Sequence, residues 1–108
     1  MKAIFSISTF LLVVTFRIAQ AQPSPDPIPP HDSLLIQSSL LGETRTINIW
    51  RPPQYAAGDK TFPVLYMLDG GIREDFPHLA NTIDTLIQTK QIPPIILVGI
   101  ENTQRRRD

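Results

Sequence analysis

Residues 63–71 read PVLYMLDGG: a run built for burial stops abruptly at Asp69-Gly70-Gly71. An acid and two glycines pack nothing, so their value at that place is conformational or chemical. Glycine reaches φ > 0 without steric cost, so a pair can turn the backbone sharply and leave N–H groups facing a cavity. Donors fixed in that way suit an oxyanion, because they need no reorganisation as charge develops. A tight turn without chemistry fits the same three residues.

Other chemistry-bearing groups are sparse. The sequence has no cysteine, which excludes disulfides, thiolate catalysis and zinc–thiolate sites. His31 falls in a Pro-rich region and His78 on the first turn of a predicted helix, and neither is placed like a catalytic base. No cluster of His, Asp and Glu has ligand spacing, so neither a metal nor another cofactor is expected. Glycines occur only at positions 42, 58, 70, 71 and 99, which leaves no Gly-x-Ser-x-Gly. Ten basic residues balance ten acidic ones, giving no electrostatic ground for a nucleic-acid or anionic-membrane partner. The Arg105-Arg106-Arg107 run reads as a solvated loop rather than a phosphate grip.

The elements that must position the Asp-Gly-Gly stretch follow from hydrophobic period. Residues 33–39 and 43–50 are strand candidates joined through Leu41-Gly42, an antiparallel hairpin. In the second, Ile47 and Ile49 alternate with Thr46 and Asn48, the pattern of a strand with one wet face. Pro52 and Pro53 end it, and residues 54–61 make a surface loop. Residues 63–68 and 94–100 are continuously apolar, as strands of a parallel sheet covered on both faces are. Between them Phe76, Leu79, Ala80, Ile83, Leu86 and Ile87 recur at helical spacing. Asp75 is a candidate cap, Pro77 suits a first turn, and the helix should end near Lys90. Strand, helix and strand form a βαβ unit, so the fold class is α/β: an antiparallel hairpin leading into a parallel βαβ unit. A single helix covers one face and leaves the other bare, so the unit reads as part of a larger domain.

The N-terminus reads as an address. Lys2 precedes an apolar stretch over residues 3–16, and Ala19-Gln20-Ala21 fits a small-x-small cleavage site. Residues 1–21 are therefore expected to be a signal peptide, with the mature chain starting at Gln22 and exported to a bacterial periplasm or the medium. The apolar run is shorter than the roughly 20 residues a membrane span needs, so no stable membrane anchor is expected. Residues 22–32 form a Pro-rich spacer, and residues 33–108 carry the domain.

The segments SSLLGETRTINIWRPPQY, FPVLYMLDGG and IPPIILVGIENTQRRRD, in this order, resemble the N-terminal part of the putative-esterase family of α/β-hydrolases. That group includes S-formylglutathione hydrolases, feruloyl esterases, ferric-enterobactin esterases and mycolyltransferases. The resemblance runs from about residue 38 to residue 108. It implies that Gly71, the residue after Asp-Gly, donates its backbone N–H to an oxyanion hole, although relatives often carry a larger residue or a nearby aromatic there. It further implies that Asp69, beside Gly70, lies at the site mouth within reach of substrate hydroxyls; a role bonding loop amides is equally open. Arg105, Arg107 and Asp108 match a loop motif read as structural ion pairing.

Such hydrolases use a serine on a Gly-x-Ser-x-Gly elbow, then an acid and a histidine later in the chain. All three would lie past residue 108. The expectation is an exported serine esterase acting on small-molecule or saccharide carboxylic esters through an acyl-enzyme. Residues 1–108 are then an N-terminal portion without nucleophile, acid or base, inactive alone. A non-catalytic exported α/β binding module is the alternative.

Overall fold

A computed structural model describes residues 26–103 of the protein. The expected signal peptide and cleavage site, the start of the Pro-rich stretch, and Arg105, Arg107 and Asp108 lie outside the described residues.

Strands β1 (Asp32–Ser38) and β2 (Glu43–Trp50) pair antiparallel from Ser38 opposite Glu43 to Asp32 opposite Ile49. Gly42 takes φ 63° in the turn between them, a left-handed conformation open to glycine. β1 begins one residue earlier than its sequence suggests, inside the stretch assigned to the spacer. After a short 3₁₀ turn over Pro53–Ala57 come β3 (Val64–Leu68), helix α1 (Phe76–Gln88) and β4 (Ile96–Ile100). The sheet runs β1-β2-β4-β3. β4 pairs antiparallel with β2 and parallel with β3, so the hairpin joins the βαβ unit through the latter's second strand.

The helical stripe is what fastens α1 to the sheet. Phe76, Ala80, Ile83 and Ile87 are buried against Trp50 and Leu97, with Leu79 packed beside them. Asp75 stands at the N-cap position, but its side chain makes no capping bond; the expectation that it caps α1 is not met. Its φ of −84° and ψ of −3° are already helical, whereas a capping side chain needs an extended backbone to reach the following N–H groups. The other end closes at Gln88, near Lys90 as expected. Lys90 adopts φ 60°, and N–H groups of Lys90 and Gln91 donate to the carbonyls of Ile87 and Leu86. This is the paired closure typical of helix C-termini, here with lysine where glycine is usual.

Two further readings change. Asn48 is not on a wet face: it is 1% exposed and shares the helix-facing side with Trp50, its neighbour two residues on. Nor are both apolar strands covered on two faces. α1 shields Leu97 and Gly99 on one side, while Tyr66 and Leu68 on the other side are 68% and 75% exposed. The bare face foreseen for a one-helix unit is present among the described residues.

The described end of the Pro-rich stretch lies along α1 rather than away from it. Asn81 Nδ2 donates to the Pro27 carbonyl at 2.7 Å, and His78 Nδ1 lies 3.1 Å from Asp26 Oδ2. His31 meets Phe76 edge-on, with ring centroids 5.2 Å apart.

Candidate active site

The stretch after β3 is shaped by a close approach of two backbones. Asp69 takes φ 51°, a conformation that aspartate tolerates better than most side chains. Gly70 then continues the ladder, its N–H donating to the Ile100 carbonyl at 2.9 Å. A Cβ on Gly70 would stand 2.3 Å from Gly99 Cα, and one on Gly99 would stand 2.6 Å from both the Gly70 carbonyl oxygen and Phe76 Cδ2. The sequence suggested that the glycine pair supplies positive φ. Instead Asp69 does so, and Gly70 is glycine because β3, β4 and α1 converge where any side chain would collide.

Asn48 fastens this convergence from β2. Its Nδ2 donates to the Gly70 carbonyl at 2.9 Å, and its Oδ1 accepts from Ser33 Oγ at 2.7 Å. One buried amide thus ties β1 and β2 to the backbone beside Gly71.

Gly71 is buried at the carboxyl end of β3, the edge where open α/β sheets form their sites. Its N–H donates to Glu74 Oε1 at 3.0 Å, while the Glu74 N–H donates back to the Gly71 carbonyl at 3.0 Å. The same Glu74 oxygen accepts the backbone N–H of Asn102, just after β4, also at 3.0 Å. Asn102 Nδ2 in turn donates to Asp69 Oδ1 at 2.9 Å. The ends of β3 and β4 are therefore laced together by a carboxylate and an amide.

An open cleft of about 660 Å³ lies over these strand ends, walled by Asp69, Glu74, Asp75 and Asn102 with Arg45 and Arg73. Asp69 sits at its rim, and its side chain is engaged by Asn102, the loop-bonding role left open by the sequence. His31 and His78 do not line it. Among the described residues no group of three or more His, Asp or Glu comes close enough to hold a metal ion. The arrangement can orient an oxygen and bond hydroxyls.

The family described as "Putative esterase" matches residues 38–108. The chain belongs to this esterase family. Among solved structures, the chain is similar to an IroE-like serine hydrolase from Shewanella oneidensis, with 42% identity and a TM-score of 0.66. That match covers 73% of this chain and 25% of the hydrolase. A ferulic acid esterase superposes with a TM-score of 0.51 at 19% identity, over 66% of this chain and 30% of its own. The BES protein from Bacillus cereus does so with a TM-score of 0.56 at 23% identity, over 78% of this chain and 31% of its own. At those identities the last two speak to fold alone. The chain spans about a quarter to a third of the length of each of these structures. No curated protein matches significantly.

Glu74 and Asn48 are the site residues the sequence did not single out. Glu74 stands three residues after Gly71, the spacing at which a glutamate can reach back to a turn's first N–H. Asn48 shares strand parity with Trp50, which was signal enough to place it on the buried face.

Proposed function

We propose that the chain is the N-terminal part of an exported serine esterase that cleaves carboxylic esters through an acyl-enzyme. In this reading Gly71 supplies one backbone donor of the oxyanion hole, and Asp69 and Gly70 shape its rim. The observation that carries the proposal is the position of Gly71: it lies in the turn just past a parallel strand, bonded to Glu74 in the wall of an open cleft, in a chain of the esterase family. The 42% identity to a serine hydrolase supports it further.

Acyl transfer needs a nucleophile and base within hydrogen-bond reach of one another. Residues 1–108 contain no Gly-x-Ser-x-Gly, and neither histidine approaches the cleft. The triad is assigned to sequence beyond residue 108, and the exposed face around Tyr66 and Leu68 to packing against the remainder of an α/β-hydrolase domain. The amino-terminal 21 residues are assigned to export, with Gln22 as the mature start.

The test is turnover of p-nitrophenyl acetate by residues 22–108 and by the protein translated through the downstream reading frame. The shorter chain is expected to show no saturable hydrolysis, and the longer one to show it. Saturable turnover by residues 22–108 alone would assign the chemistry to this segment and refute the division.

A further inference from the structure

Gly71 and Asn102 reach Glu74 from two separate segments, the turn after β3 and the residues after β4. Their N–H groups converge on a single oxygen, each at 3.0 Å. Two fixed backbone donors aimed at one anionic oxygen are the equipment of an oxyanion hole, and here a side chain of the same protein fills it.

We propose that Glu74 is a gate on the oxyanion site: its carboxylate occupies the place before the Gly71 N–H that an ester's carbonyl oxygen must take, and it withdraws before that oxygen binds. The inference deepens the esterase reading and rests on it for the identity of the displacing oxygen. Three observations carry it. A carboxylate oxygen and a tetrahedral oxyanion share charge and lone pairs, so the same donors serve either, and both bonds are of the stronger, charge-assisted kind. Position 71 is adapted to the gate, since a Cβ there would lie 2.7 Å from Glu74 Oε1 and 2.9 Å from Glu101 Cγ. A side chain there would push the Glu74 carboxylate from its present seat. Finally, Glu74 is half-buried and lines the cleft, while its own N–H is anchored to the Gly71 carbonyl. Side-chain rotation alone opens the gate, and the turn that holds the donors stays in place.

The test compares the full-length protein, as encoded by its open reading frame, with Glu74→Ala and Glu74→Gln. Sodium acetate at constant ionic strength is the probe, read through the amide NMR signals of Gly71 and Asn102. Glu74→Ala is expected to bind acetate about tenfold tighter than wild type, with the shifts centred on those two amides. Glu74→Gln keeps an acceptor but loses the charge, so its affinity should fall between the two; it also serves if the alanine variant fails to fold. With p-nitrophenyl acetate, Glu74→Ala should raise kcat/KM, whereas a residue that merely braces the turn would lower it. Equal acetate affinity in variants and wild type, shifts at other amides, or a fall in kcat/KM would overturn the gate. Absence of hydrolysis by wild type would refute the esterase reading alone, and the acetate titration would still decide whether Glu74 blocks an anion site.

Discussion

Gly70→Ala is expected to destabilise the protein by about 3 kcal/mol, at the upper end of the cost of overpacking a core. The new methyl would lie 2.3 Å from Gly99 Cα, 2.6 Å from Gly99 C and 2.6 Å from Ile100 N. All three are backbone atoms, so no rotamer change relieves the clash. β3 must move away from β4, which breaks the bond from Gly70 N–H to the Ile100 carbonyl. The displacement also pulls the Gly70 carbonyl away from Asn48. Urea denaturation reads the effect as a lower midpoint with an unchanged slope. Gly42→Ala is the control: its Cβ meets nothing within 4 Å, so only the cost of a positive φ remains. A Gly70→Ala midpoint no lower than that of Gly42→Ala would mean that the two strands are not in contact here.

Asn48→Asp should be nearly as damaging at neutral pH, and its damage should depend on pH. The Asn48 amide donates to the Gly70 carbonyl in a place that is 1% exposed. An ionised aspartate would set a buried charge against a carbonyl oxygen with no donor between them. Burial and repulsion both favour the protonated acid, so its folded pKa is raised above the unfolded value of about 3.9. The sign follows: below the unfolded pKa both states carry the proton, and a protonated acid can still donate to the Gly70 carbonyl. As pH rises above about 4, the unfolded state releases the proton first and stability falls, at up to about 1.4 kcal/mol per pH unit. A loss of about 3 kcal/mol is expected at pH 7, with near recovery at pH 4, from urea midpoints at each pH. A variant equally unstable at both would show that shape rather than charge governs the position.

These two positions also show what the sequence could and could not reveal. The bounds of β2, the apolar stripe of α1 and the strand ending at Leu68 were readable from local apolar patterning, although Asn48 was read on the wet face of β2 and β3 as covered on two faces. So was the end of a strand just before Asp-Gly-Gly, since the break in the apolar run is a local event. What the glycines are for was not readable. Their need arises from contact between Gly70 and Gly99, which are brought together only when β3 and β4 pair through the crossover. Asn48 reaches Gly70 across 22 positions and Glu74 reaches Asn102 across 28, distances over which periodicity carries no signal. Asp75 misled for a related reason. Its residue type is right for a cap, but the bond from its N–H to the Asp69 carbonyl belongs to a backbone already turned helical.

Labelling with a fluorophosphonate, followed by peptide mapping, tests most directly whether an amide at the end of β3 serves a serine nucleophile supplied from elsewhere in the chain. The protein translated through its downstream frame should take one label, on the serine of a Gly-x-Ser-x-Gly past residue 108, while residues 22–108 stay unmodified. A label on Ser24, Ser33, Ser38 or Ser39, or a folded longer protein that takes no label, would contradict the account.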